Sequence, residues 1–167
     1  MSLIDKSIIL LFLGGLWSVP TPTTKIEMGG MELNYQKTKT GVRCAIAAPT
    51  TGWVAVGFNN RDDIISADLL QFNVQDGTVY GEDQYVQAAG KHPVDVSLPE
   101  GQNQIKNLEG REENGWTYIS FELAWESADP FDFALRPQKP VWLILAYSNS
   151  DDFAHHSHLR EHRSVIW

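Results

Sequence analysis

Residues 52–85 read GWVAVGFNNRDDIISADLLQFNVQDGTVYGEDQY, and this stretch decides the fold. The run GWVAVGFN (52–59) is almost wholly apolar, as a strand buried on both faces requires. The segments ADLLQFNVQ (67–75) and TVYGEDQYV (78–86) flank Asp76-Gly77, and Asp-Gly between apolar runs is a strong two-residue hairpin signal. The intervening NNRDD (59–63) has the composition of a solvated loop. Three strands in 34 residues, with no helical periodicity, set the pattern for the rest.

Outward from there, MELNYQK (31–37) alternates Met31, Leu33 and Tyr35 with polar neighbours, the period of a half-buried strand. VRCAIAAP (42–49) follows a Gly-containing turn. NQIKNLEGREE and GWTYISFELAW flank Asn114-Gly115, a second hairpin signal. PVWLILAYS (140–148) is another apolar strand, and RSVIW closes the chain. Only LAWESADPFDF (123–133) suggests a short turn of helix, ending before Pro130. Residues 90–101, GKHPVDVSLPEG, read as a long loop. Seven to nine strands with regular turns predict an all-β fold, an antiparallel immunoglobulin-like β-sandwich.

Length and charge narrow the function. The 167 residues suffice for one core, with 43% hydrophobic and 20% charged residues. A net charge of −8 and the absence of a basic run exclude a nucleic-acid surface. The lone Cys44 has no internal partner for a disulfide and sits mid-strand as an inert thiol. At the N-terminus SIILLFLGGLWSV (7–19) follows Lys6 and is shorter than the roughly 20 residues that span a bilayer. It has the length of a secretory h-region, and VPTPTTK (19–25) then reads as an extended linker. The expected division is a signal-like segment and linker over 1–24 and one sandwich domain over 25–167, secreted or periplasmic. The chain would be an integral membrane protein only if the N-terminal segment were retained.

The ordered set Gly52–Phe58, Ala67-Asp68-Leu69 and Asp83 to Tyr85, with the late WLILAYSNSDDFAHHSHLREH (142–162), resembles the DOMON domain over about residues 31–167. That family includes an extracytoplasmic sandwich of dopamine β-hydroxylase relatives and the cytochrome part of cellobiose dehydrogenase. The resemblance implies ligand binding, of haem or sugar, with a redox partner protein where haem is bound. In the haem subgroup a b-type haem lies between a Met just before Ala-Asp and a His in the loop before the last strand. Here Ile64 and Ile65 stand on the Met side, and His155 or His156 supplies the His side. Arg61 then faces solvent or a haem propionate. Without haem, the chain reads as a carbohydrate- or metal-binding module.

Read as residues alone, the tail leaves three alternatives. Imidazole ligates haem iron and transition metals near neutral pH. His158 and His162, at i, i+4 on a helical turn, form a clamp for a divalent metal with Asp152 as an oxygen ligand. The third alternative is a polar surface pinned by an Asp152–Arg160 salt bridge. Asp68 also has two readings: with Asp83 it offers carboxylate oxygens to a hard cation such as Ca²⁺, or it caps nearby backbone N–H groups. Trp53, Trp116 and Trp142 read as core aromatics. Asp62-Asp63 and Glu112-Glu113 read as loop charges, with no burial to split their pKa values. No nucleophile elbow, His-Glu-x-x-His or phosphate loop occurs, so the chain reads as a binding module and not an enzyme.

Overall fold

The computed structural model describes residues 23–136 and 138–166; the expected export segment falls in residues 1–22, outside them. Ten strands form two antiparallel sheets. They are β1 (Thr23–Met28), β2 (Met31–Lys37), β3 (Gly41–Ala48), β4 (Val54–Asn59), β5 (Asp68–Gln75), β6 (Thr78–Tyr85), β7 (Lys106–Glu113), β8 (Trp116–Ala124), β9 (Pro140–Tyr147) and β10 (Leu159–Ile166). One sheet runs β1-β2-β3-β8-β7 and the other β10-β9-β4-β5-β6. This is the expected two-sheet sandwich.

The hairpins form where the sequence places them. Asp76-Gly77 and Asn114-Gly115 both take positive φ at both positions, the mirror-image turn that matches strand twist. Gly29-Gly30 makes a third such turn, with φ of 55° and 76°, joining β1 to β2. Strand β1 corrects the linker reading, because Thr23 and Thr24 already pair with Gln36 and Tyr35. No helix forms over 123–133: β8 runs to Ala124 and bends follow. The only helical turn among the described residues is the 3₁₀ turn Asp95–Ser97, inside the 90–101 loop.

The two sheets bury their faces differently. In the first sheet alternate residues point inward, as with Thr117, Ile119, Phe121 and Leu123 of β8. Its outer face carries charges, such as the Arg43–Glu122 pair at 2.5 Å. Strands β4 and β5 are buried on both faces. Val54, Val56, Phe58, Leu70, Phe72 and Leu143 face the central core. Trp53, Ala55, Leu69, Ile144 and Ala146 form a second cluster on the outer face, closed by Ile64 and Phe153 from two loops. Burial of the whole apolar run GWVAVGFN follows from this loop cover.

Candidate metal centre

Asp68 begins β5 on the same inward face as Leu70 and Phe72, since strand side chains repeat every second residue. The register pairs Asp68 with Tyr85 and Leu70 with Asp83, so Asp68 and Asp83 are diagonal neighbours at the end of the core. Two loops close over them. The 90–101 loop is held to β6 by backbone bonds from Tyr85 N to Pro93 O (3.2 Å) and Gln87 N to Lys91 O (2.9 Å). Its turn delivers Asp95, which is fully buried. The loop after β8 delivers Asp129 and Asp132, and its Phe131 and Phe133 pack on Tyr85 and Phe58 with ring centroids 5.3 and 6.5 Å apart.

Five carboxylates thus converge from four segments. Oxygens of Asp68, Asp83 and Asp132 lie within 4.8 Å of one another, and so do oxygens of Asp95, Asp129 and Asp132. Four of the five residues are at most 5% exposed. Among the described residues no lysine, arginine or histidine forms a salt bridge with any of them.

Protein donors serve only part of this oxygen surface. Asp68 Oδ2 accepts from Phe133 N (2.8 Å) and Gln104 Nε2 (2.9 Å), and Asp83 Oδ2 accepts from Gln104 N (2.7 Å). Asp129 accepts from Gln102 N and from Phe131 N. The other oxygens of Asp68 and Asp83, and both of Asp95 and Asp132, are buried without a hydrogen-bond partner. A buried carboxylate in that position either keeps its proton or takes a cation.

The electrostatics follow. Burial, then the charge of Asp83, holds the Asp68 carboxyl well above its ordinary range. Burial lifts Asp83 to about 7 against the opposing Gln104 N–H. Burial and then the charges of Asp83, Asp129 and Asp132 lift Asp95 to about 7. Burial lifts Asp132 to about 6, and the charge of Asp129 adds to it. One oxygen of Asp68 accepts from a backbone N–H 65 residues away, where capping of nearby N–H groups was expected, and the other is open.

The histidine tail is built differently. Loop 149–158 straps the outer face of the second sheet through its backbone. Trp53 Nε1 donates to His155 O (3.2 Å), Gln71 Nε2 to Phe153 O (3.2 Å) and Asn73 Nδ2 to Asp151 O (2.7 Å). The side chains of His155, His156 and His158 are exposed. Strand β10 corrects the clamp reading. His162 lies on β10 and His158 just before it, so the two do not share the helical turn that would bring them together. His158 lies by the Tyr147 ring, His162 Nδ1 is 3.0 Å from Asp62 Oδ1, and Asp152 Oδ1 accepts from Ala154 N (2.9 Å). His158, His162 and Asp152 therefore do not converge, and no Asp152–Arg160 bridge forms among the described residues.

On the rim, Arg61 is exposed, donating to Ile65 O (3.1 Å) and lying 3.5 Å from Asp63. Trp53 is buried as expected, whereas Trp116 and Trp142 are half-buried. Cys44 is buried in the core, which pushes its thiol up and makes it inert.

Fold and site together define an all-β sandwich with a buried carboxylate cluster at one end of its core and no recognised catalytic motif. Residues 28–148 match the DOMON domain, and the chain belongs to that family. Among solved structures it is similar to the cytochrome domain of Myriococcum thermophilum cellobiose dehydrogenase, at TM-score 0.60 and 10% identity. It is also similar to the cytochrome b domain of pyranose dehydrogenase from Coprinopsis cinerea, at TM-score 0.61 and 8% identity. Each match covers 86% of this chain and 81% of the other. At these identities the likeness is one of fold. No helix among the described residues is long and apolar enough to cross a membrane.

Proposed function

We propose that this DOMON module is an exported binding domain whose ligand is a hard divalent cation of the Ca²⁺ type, held by Asp68, Asp83 and Asp132. One observation carries the reading: Asp68 and Asp83, both buried and each with an unpartnered oxygen, converge with the carboxylate of Asp132, and no protein cation pairs with them among the described residues. The donor set is all oxygen, which suits Ca²⁺ and not a thiolate- or imidazole-seeking metal. The cation supplies positive charge. The chain supplies position: β5 and β6 fix Asp68 and Asp83, while Gln104 and Phe133 orient the carboxylates through their second oxygens. For an exported module the expected dissociation constant is about 10⁻⁴–10⁻³ M, the range of extracellular Ca²⁺ modules.

Calorimetric titration of Ca²⁺ into chelator-stripped full-length chain tests this. Wild type gives a saturable isotherm. Asp68→Asn, close in shape and uncharged, weakens the Asp68 site at least tenfold. A flat wild-type isotherm contradicts the reading.

The likeness to cytochrome domains raises b-type haem as a second ligand, and the residues present do not fit it. Ile64 offers no ligating atom and, with Phe153, packs onto the Trp53–Ala55–Leu69–Ile144 cluster where an apolar cofactor would need space. His155 and His156 are exposed, and the Trp53 indole is bonded to the backbone of the His155 loop. Haemin titration followed in the visible spectrum separates the readings: a sharp low-spin Soret band, lost in His155→Ala or His156→Ala, would restore haem.

A further inference from the structure

We propose that the carboxylate cluster takes two cations, the second held by Asp95, Asp129 and Asp132, with Asp132 bridging the two positions. The inference rests on the cation reading above and adds a separate site to it. The two converging triads share only Asp132. A cation among Asp68, Asp83 and Asp132 sits in the triad that excludes Asp95 and leaves Asp95 as it was. Asp95 is 0% exposed, and neither of its carboxylate oxygens has a partner. Asp132 also has both oxygens unpartnered, but it is shared by the two triads, whereas Asp95 belongs to the second alone.

Charge supports the same count. Five ionised carboxylates around one divalent cation leave a formal charge of about −3 in a largely buried space; two cations leave about −1. The donor geometry is compatible as well. Asp129 accepts backbone N–H bonds from Gln102 and Phe131, which fix its plane, and each carboxylate oxygen keeps a second lone pair. The second cation would clasp the 90–101 loop, through Asp95, to the loop after β8, through Asp129 and Asp132. Gly101 lies against the Asp95 carbonyl so closely that a Cβ would overlap it, which holds the Asp95 turn in place.

The test is stoichiometry. Full-length chain is stripped with chelator, titrated with Ca²⁺ by calorimetry, and assayed for bound metal after equilibrium dialysis. The expected result is two equivalents in wild type and one in Asp95→Asn, with the Asp68→Asn variant also retaining one. One equivalent in both wild type and Asp95→Asn overturns the second site and leaves the first standing. Two equivalents in Asp95→Asn also overturn it. No bound Ca²⁺ in wild type overturns both readings. The wild-type count is decisive without any variant, and Asp95→Asn removes a buried charge, so the cation-free fold is expected to tolerate it.

Discussion

The acidic cluster and the histidine loop hold the chain's two concentrations of ligating side chains, and they are built in opposite ways. At the histidine loop the protein has used side chains of the sheet to satisfy loop carbonyls, through Trp53, Gln71 and Asn73, and has left the imidazoles in solvent. At the acidic cluster it has buried the ligating groups and left oxygens of Asp68, Asp83 and Asp95 unanswered. The first arrangement leaves Gln71 Oε1, Asn73 Oδ1 and Asp151 Oδ1 buried without a partner, but these oxygens belong to no converging set of carboxylates among the described residues. The second holds buried polar atoms whose desolvation cost nothing in the protein offsets. Density of potential ligands in sequence is therefore a poor guide to a site, and convergence of buried, unpartnered carboxylates is a better one.

The comparison can be broken at its largest effect with Gly101→Ala. The added Cβ overlaps the Asp95 carbonyl, so the 90–101 loop must shift. Overpacking of this kind costs about 3 kcal/mol. Urea unfolding should show that loss, with Ca²⁺ affinity falling alongside it; an unchanged midpoint would mean the loop adapts freely.

A second effect is in pH. Folding raises Asp83 and Asp95 to about 7 and Asp132 to about 6, from an ordinary 3.8 in the unfolded chain. The cation-free fold then binds more protons than the unfolded chain across this interval. Its stability is full below about pH 4 and is lost as pH rises through 6 to 7. In chelator, unfolding free energy should be higher at pH 5 than at pH 8, and saturating Ca²⁺ should narrow the difference. A cation-free chain more stable at pH 8 would contradict the buried-carboxylate account.

The smallest effects belong to the histidines. His155→Ala and His158→Ala remove exposed rings and should change stability by no more than about 0.5 kcal/mol, with Ca²⁺ stoichiometry untouched. A loss of bound metal in either would move the centre to the tail.

Much of the fold was legible because its signals are local. Alternation in MELNYQK and the Asp-Gly and Asn-Gly pairs mark elements that form between near neighbours, and β2 and both hairpins lie where those signals put them. The errors also have local causes. The Gly29-Gly30 turn that creates β1 was overshadowed by the Pro/Thr stretch before it, and i, i+4 spacing implies proximity only on a helix. The acidic centre was half visible. Asp68 and Asp83 stand on adjoining strands, and the Asp76-Gly77 turn fixes their register. Asp95 and Asp129 lie in segments whose composition resembles any solvated loop. Their burial arises only when those loops fold over the end of the core, which no short stretch encodes.

Hydrogen exchange with and without Ca²⁺ tests the central claim most directly, because it reads both regions in one experiment. The account predicts slowed exchange on Ca²⁺ addition for amides of residues 95–104 and 129–133, including Gln104 and Phe133, and no change over 151–158. Unchanged exchange at the acidic loops under saturating Ca²⁺, or protection appearing over the histidine loop in their place, would contradict it.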